Sequence, residues 1–500
     1  MPFDQTTPRN LSNTSSLENF KMVRVTTLDN KQVAIDSEVL QAFQSAVRGE
    51  VLTAAENGYE KARVIFNGMI DKHPGLIACC TGVADVIQCV NFAREHRLLT
   101  AIRGGGHGIA GNAVCDGGLM INLALMNSVR VDPQARVAWV GGGAVLGDLD
   151  HETAALGLVC PGGVVSTTGV AGLTTGGGYG WLRAKLGLSI DNLIAVEIVT
   201  PDGKLRRASE TENSDLFWAI RGGGGNFGVV TTFEFRVHEI GPQVILCNPV
   251  YAAEHAREVL RGWRDFMRTA PDEFTSEFFF WTIPRFPQFP QEMQGMDVVV
   301  PCGVYYGPVE EGEKLVQPLR ELAPTLMDIS GPMRFVDIQQ MFDPYLPYGE
   351  VIGYWKALYL DRISDDMTDT LVDHFLDRPA NARICPLVLH YLNGASQRVP
   401  ADATAFPGRH WSMLMEYNVT WSDPDDNEEY TAWTRNAWNE MREKYAQYGG
   451  TYLNIDSYIE DGESWVEETY RQNYKRLQQI KKKYDPLNLF RLNANIPPME

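Results

Sequence analysis

Arg103-Gly104-Gly105-Gly106-His107-Gly108-Ile109-Ala110-Gly111 is the stretch on which the reading of this chain turns. Its second part, Gly106 to Gly111, has the letters Gly-x-Gly-x-x-Gly, which mark a dinucleotide-binding turn when a strand precedes them and a helix comes directly after. A helix candidate over 83–96 and a strand-like run, Leu98-Leu99-Thr100-Ala101-Ile102, do precede it. The residues after Gly111 are Asn112-Ala113-Val114-Cys115-Asp116-Gly117-Gly118. A turn carrying an Asn and two further glycines does not start a helix, so the Rossmann reading is set aside. The physics of the loop still favours an anion. Glycines let successive backbone N–H groups converge without Cβ obstruction, and Arg103 at the loop's edge adds positive charge.

Two more glycine loops lie downstream. One runs from Cys160 to Gly180 and includes Gly162, Gly169, Gly172 and Gly176-Gly177-Gly178; the other is Arg221-Gly222-Gly223-Gly224-Gly225-Asn226-Phe227-Gly228. Three such loops close together in sequence predict close backbone approach to one extended ligand rather than three unrelated turns.

The bulk numbers narrow the alternatives. The chain has 500 residues, 44% hydrophobic and 21% charged, an ordinary globular composition that length divides into about two to four domains. A formal net charge of -19 repels nucleic-acid backbones and anionic membranes, so neither is an expected partner. The start Met1-Pro2-Phe3-Asp4-Gln5 lacks a basic, then apolar, leader, and no apolar run has membrane-spanning length, so a cytoplasmic protein is expected. Residues 1–18 read as a loose tail. The eight cysteines include Cys79, Cys160 and Cys385 but no Cys-x-x-Cys pair. With no His-Glu-x-x-His helix either, no metal site is expected. No Gly-x-Ser-x-Gly elbow and no Walker loop occur, which disfavours a hydrolase or P-loop ATPase.

Short strands and tight turns dominate 100–235, and the texture changes near Ile240-Gly241-Pro242. Beyond it, strand-like runs at 296–306, 384–391 and 413–420 alternate with a helix over 427–447, in a region rich in tryptophan. This predicts an α+β chain with a second part built on an antiparallel sheet. A last helix over 464–483 ends before Pro486.

Four segments together resemble the berberine-bridge-enzyme-like flavoproteins of the vanillyl-alcohol-oxidase superfamily. They are Ala101 to Gly111, Gly162 to Asn192, Asp215 to Val230, and the C-terminal Asn473-Tyr474-x-Arg476-Leu477 with Tyr484-Asp485-Pro486-x-Asn488-x-Phe490-Arg491-x-Asn493-x-Asn495-Ile496-Pro497. The resemblance implies a two-domain fold: an FAD-binding domain over 1–240, a substrate-binding domain over 241–450, and a segment over 451–500 that completes the first domain and the active site. It implies FAD, bonded through the His107 imidazole, which raises the flavin's potential. Cofactor contacts are implied at Arg103, Gly104, Gly105, Gly106, Gly108, Gly162, Val165, Thr167, Thr168, Gly169, Gly172, Gly177, Val229, Asn454 and Asn495. Many relatives add a second link from a cysteine. Counting back from Gly176 at the family's spacing reaches Val165, whereas Cys160 lies five residues earlier, so a single link is expected.

The family's chemistry is hydride transfer from a carbon next to oxygen or nitrogen, with O2 or another acceptor reoxidising the flavin. A base must reach the substrate proton. Tyr452-Leu453-Asn454 matches the family's Tyr-x-Asn motif and makes Tyr452 the candidate. Sugar-oxidising relatives support that tyrosine with a carboxylate; the strand 388–393 offers Asn393 at the corresponding place, with His390 beside it, and Glu416 and Tyr417 are further wall candidates. The first expectation is an oxidase of a carbohydrate or oligosaccharide at its anomeric carbon, giving H2O2. An oxidase or dehydrogenase of an aromatic alcohol or alkaloid-like metabolite, and a flavin-holding protein without turnover, stay open. A monomer or small homo-oligomer is expected.

Overall fold

The computed structural model describes residues 22–380, 382, 386–446, 450–457 and 462–500. The expected tail, Ile384, Cys385, Gln447 and Gly449 lie outside the described residues.

Glycine and β-branched residues between Val51 and Arg236 build two small sheets. In the four-stranded one, Leu76–Cys79 and Thr100–Arg103 run parallel to the strand Leu119–Asn122 between them, and Val51–Leu52 adds antiparallel at the edge. Parallel neighbours need a crossover, and the helix Val83–Glu95 supplies it, burying Val86, Cys89, Val90 and Ala93. Thr100–Arg103 then delivers the chain into the glycine loop. No helix comes next; the following regular element is the strand Leu119–Asn122. The second sheet is antiparallel, in the order Leu205–Ser209, Leu193–Val199, Val229–Arg236, Val137–Gly141, Val129–Asp132.

The third sheet has nine strands, all antiparallel. Toward one edge it runs Asp297–Tyr305, Phe274–Thr282, Leu387–Tyr391, Met413–Trp421 and, last, Ile352–Leu360. Side chains alternate between faces along each strand, and the two faces have different partners. On one, Phe278 packs on Trp263 with centroids 5.4 Å apart, Phe280 on Phe375 at 5.3 Å, and the Tyr417 hydroxyl lies 2.6 Å from His374 Nδ1. These partners sit on the helices Ala256–Met267 and Asp365–Leu376. A third helix, Asn427–Tyr445, crosses the same sheet, where Trp438 Nε1 donates to the Ala357 carbonyl at 2.9 Å. The opposite face carries Glu277, His390, Glu416 and Asn418 and turns toward the glycine loops.

The C-terminal helix expected over 464–483 is broken. Gly462–Tyr470 and Tyr474–Tyr484 are separate helices joined by a tight turn in which Arg471 has a φ of 51°. The break has tertiary causes: Tyr470 donates its hydroxyl to the Gly222 carbonyl at 3.0 Å, and the Asn473 amide donates to carbonyls of Thr404 and Ala405. The second helix then returns the chain to the glycine loops. Lys481, fully buried, donates to the carbonyls of Asn226 and Phe490 at 2.7 Å and pairs with Asp485 at 2.8 Å. Burial pushes the Lys481 ammonium down to about 8 despite the Asp485 carboxylate. Removing one partner from a buried pair strands the other. Lys481→Met is therefore expected to destabilise the fold by about 3–5 kcal/mol, read as a lower denaturation midpoint; an unchanged midpoint would show that the carbonyl contacts are dispensable.

Candidate functional site

All three glycine loops line one cavity of 340 Å³, closed on its far side by the large sheet. The loops reach it because their backbones touch. A Cβ on Gly105 would lie 2.4 Å from the Gly169 Cα, so the first two loops pack as bare main chain. Gly222 and Gly224, on the third, take φ of 119° and 67°, which side chains rarely adopt. Gly108 and Gly172 are different: both line the cavity, yet apart from their own chain neighbours and, for Gly172, its own helix backbone, no protein atom lies within 4 Å of where their Cβ would stand. Gly172 also sits inside the helix Val170–Thr175, where alanine is intrinsically better. Protein packing does not explain these two glycines, whereas a flat ring system lying against the loop does.

His107 enters the cavity from the first loop. Its ring stacks on Phe66 with centroids 3.8 Å apart and 17° between planes. Burial lowers its pKa to about 4, so the imidazole is neutral at physiological pH. Its Nε2 is buried and has no hydrogen-bond partner in the protein. A neutral, unpartnered ring nitrogen on the cavity wall fits the covalent flavin ligand that the resemblance implies.

The sheet wall is a row of buried charge. Glu277 and His390 are opposite each other on adjacent strands, and Glu416 lies opposite Val388, diagonal to His390 on the same face. His390 Nδ1 is 2.8 Å from Glu277 Oε1, and its Nε2 is 2.9 Å from Glu416 Oε1. Burial opposes an imidazolium, but the two carboxylates outweigh it and hold His390 at about 9. Behind Glu277 stands Arg183, also buried, at 2.9 Å; its guanidinium donates to the carbonyls of Gly180, Ser276 and Tyr391 as well. At the other end the Asn418 amide donates to Glu416 Oε2 at 3.0 Å. That bond turns Asn418 Oδ1 outward, where it is buried without a partner, as are Glu277 Oε2 and Trp355 Nε1.

Tyr452 faces this wall from the C-terminal segment. Its oxygen accepts from the Gly178 N–H at 3.0 Å and from the Asn454 amide at 2.9 Å, and its ring meets Tyr179 edge-on at 4.8 Å. Burial pushes Tyr452 up to about 12, and the charge of Glu416 adds to the rise, while the two donors oppose it. The loop carrying Tyr452 is held from behind: Thr451 donates its hydroxyl to Asp456 at 2.5 Å, and Asp456 pairs with the buried Lys356 at 3.2 Å.

Of the residues named from sequence, Gly104 to Gly108, Val165, Thr168, Gly169, Gly172 and Asn454 line the cavity with Tyr452 and His390. Arg103 does not. Its guanidinium turns back to the Ala62 carbonyl at 2.9 Å and the Tyr348 hydroxyl at 3.2 Å, so it braces the loop instead of charging its mouth. Gly162 packs under Leu146, Gly177 under Phe406, and Val229 lies in the core with Val199. Thr167 and Asn495 each keep one buried polar atom unpartnered but do not line the cavity. Nor does Cys160, a buried free thiol packed in the core with Leu146 and Leu149. Asn393 lies past the end of Leu387–Tyr391 and outside the cavity; its carbonyl accepts from Ser396 at 2.9 Å. The carboxyl groups on this wall are instead Glu416, on the next strand, and Glu277. Tyr417 points to the helix face. Tyr179, Glu277 and Asn418 were not found from sequence, although a Glu directly before the aromatic run Phe278-Phe279-Phe280-Trp281 was a readable sign of a buried charge.

The comparisons agree with this geometry. Residues 74–209 match the FAD binding domain family, and 443–497 match the family described as berberine and berberine like. The FAD-linked oxidoreductase YvdP of Bacillus subtilis is 30% identical over 460 residues, covering 90% of this chain and 98% of that protein. The (R)-6-hydroxynicotine oxidase of Paenarthrobacter nicotinovorans is 29% identical over 91% of this chain and 97% of its own. Among solved structures, 6-hydroxy-D-nicotine oxidase from Arthrobacter nicotinovorans superposes with a TM-score of 0.80 at 27% identity, covering 91% of this chain and 98% of that one. A chitooligosaccharide oxidase shares the fold with a TM-score of 0.79 at 23% identity, covering 92% and 100%. The chain belongs to the berberine-bridge-enzyme-like FAD-linked oxidoreductases, with the mixed helix-and-sheet fold of the vanillyl-alcohol-oxidase superfamily.

Proposed function

We propose that the protein is an oxidase of a small polyhydroxylated substrate, a carbohydrate or oligosaccharide attacked at its anomeric carbon, with residues 1–240 and 451–500 holding FAD and 241–450 presenting the substrate. The observation that carries this reading is the set of unpartnered polar atoms on the sheet wall. Asn418 Oδ1 and Glu277 Oε2 accept, and Trp355 Nε1 donates. A sugar's hydroxyls do both, so such a substrate satisfies buried groups that are costly to leave unmade. Aromatic side chains at Phe279, Phe342, Tyr345 and Trp355 add faces for stacking on a ring. When bound, FAD supplies the hydride acceptor and passes the electron pair to O2, giving H2O2.

The chain's own residues handle the proton. The Tyr452 oxygen, fixed by Gly178 and Asn454, takes the proton of the substrate hydroxyl. Because Tyr452 begins as a phenol at neutral pH, its own proton leaves to an acceptor on the wall, and the carboxyl group lining the same cavity whose charge acts on Tyr452 is Glu416. His107 is the residue that would carry the covalent link. Val165, rather than Cys160, lines the cavity, which favours one link over two. An alkaloid-like substrate oxidised next to nitrogen is the second reading, favoured by the similarity to 6-hydroxynicotine oxidase.

A panel of glucose, cellobiose, chitobiose, benzyl alcohol and 6-hydroxynicotine, mixed anaerobically with the holoenzyme, tests the function. Bleaching of the flavin by the sugars is the expected result; bleaching by 6-hydroxynicotine alone would transfer the assignment to the second reading, and no bleaching by any would remove both. His107→Ala is expected to release its flavin into the supernatant on acid precipitation, whereas the parent's colour stays in the pellet; flavin retained by the variant would place the link elsewhere. Tyr452→Phe is expected to slow flavin reduction by about 10²-fold with little change in substrate affinity, and equal reduction rates would remove Tyr452 from proton transfer.

A further inference from the structure

The row Arg183–Glu277–His390–Glu416 needs a purpose beyond stability. Four buried charged groups lose their hydration, and such arrangements seldom repay that loss against apolar packing. This row lines the cavity at three of its members instead of filling the core. We propose that His390 is a positioning residue: a fixed cation, anchored from behind by Glu277 and Arg183, that holds Glu416 turned to the cavity as the final acceptor of the substrate's proton. This inference rests on the proton path assigned above to Tyr452 and Glu416.

Geometry makes His390 a cation. Each ring nitrogen faces a carboxylate oxygen, at 2.8 and 2.9 Å. These are ion-pair contacts without an aligned hydrogen bond, and a ring flanked on both sides by carboxyl oxygens favours hydrogen on both nitrogens, because a bare lone pair there would face an oxygen lone pair. The strand pairing fixes this arrangement, since Glu277 and His390 are register partners on neighbouring strands.

The row is also asymmetric. Glu277 lies between two cations, Arg183 at 2.9 Å and His390 at 2.8 Å. Burial opposes its ionisation, but His390 and then Arg183 hold its carboxyl below the usual range. Glu416 has one cation, His390, and one neutral donor, Asn418. Of two carboxylates in unequal settings, the one with less cationic support takes the proton. The proton released by substrate oxidation therefore stops at Glu416 and does not reach Glu277. Among the described residues, the other ionisable groups that face the row are Tyr452 and Tyr359, which feel the charge of Glu416, and Tyr179, which feels that of Arg409 and of Arg183. Burial raises all three tyrosines, so they stay neutral near pH 7 and leave the charge pattern to the row.

Two readouts on the flavin-loaded full chain test this. The first needs no substrate. In protein labelled with 15N-histidine, one of nine histidines, identified by its loss in His390→Gln, is expected to show both ring nitrogens protonated at neutral pH and to titrate near 9. Glu277→Gln is expected to bring that titration down. A wild-type His390 titrating at or below its ordinary value, about 6.5, would overturn the proposal. Stability provides a check of sign: a group raised on folding stabilises below its unfolded pKa, and that gain is lost as pH rises through the folded pKa. The stability advantage of wild type over His390→Gln should accordingly shrink between about pH 6.5 and 9.

The second readout is anaerobic flavin reduction by cellobiose across pH. His390→Gln is expected to move the acid limb of the rate profile upward and to slow reduction by about tenfold or more below pH 7, with KM little changed. His390→Lys, which keeps a cation, should recover part of the rate. A profile that keeps its acid limb in His390→Gln contradicts the positioning role even if the variant is slower. If no sugar bleaches the wild-type flavin, the carbohydrate-oxidase reading fails and the proton-acceptor role falls with it, while the histidine titration still decides whether His390 is the fixed cation.

Discussion

The contact between Arg183 and the sheet is the interaction on which the geometry of the site depends. Its guanidinium, 0% exposed at the side chain, pairs with Glu277 and also donates to the carbonyls of Gly180, Ser276 and Tyr391. Those acceptors belong to the second glycine loop and to two adjacent strands of the large sheet. One side chain thus joins the loop that carries Gly178, the donor to Tyr452, to the wall that carries Glu277 and His390. Apolar packing alone would hold these parts together without fixing their register. A planar fork with several fixed donors does fix it, and the energetic burden of burying it is offset by three carbonyls and the Glu277 carboxylate.

The opposite wall is held by an absence of side chains. Gly105 and Gly169 approach so closely that either Cβ would overlap the other loop, while Gly108 and Gly172 leave open space on the cavity side. The first pair is needed for packing and the second for an occupant. The same residue type therefore has two causes in one site, and only the surroundings of each glycine separate them. Lys481 completes the wall by reaching the Asn226 carbonyl from the last long helix, which brings the C-terminal segment and its Asn493 and Ala494 to the cavity edge.

The two walls divide the chemistry. The loop side offers backbone, small side chains and one neutral imidazole, and it suits a flat, extended cofactor. The sheet side offers buried charge, unpartnered acceptors and aromatic faces, and it suits a polar small molecule. Tyr452 belongs to neither wall by sequence position. It is brought between them by the loop that Asp456 and Lys356 brace.

Much of this was legible in the chain. Glycine spacing, the missing helix after Gly111, and the Tyr452-Leu453-Asn454 motif pointed to the loops, the cofactor and the phenol, because local backbone freedom and short motifs are properties of neighbouring residues. The strand-like runs at 296–306 and 413–420 pointed to the antiparallel sheet, whereas Phe274–Thr282 was not read as a strand. Sequence could not supply which face met which partner, or where a strand stopped. Asn393 was placed on the wall because the strand was extended two residues too far, and Arg103 was aimed at the cavity because nothing local announces Tyr348, distant in sequence, as its partner. The charge row is the clearest case: Arg183, Glu277, His390 and Glu416 are scattered over the chain, and the shifts of Glu277 and His390 depend on distances of about 3 Å that only strand pairing and the packing of a loop against a sheet create. The chain by itself determined the family and the bare backbone of the cofactor wall, because both are written in local pattern. The acid–base character of the substrate wall was decided by tertiary structure, because a pKa depends on what surrounds a group and not on what precedes it in sequence.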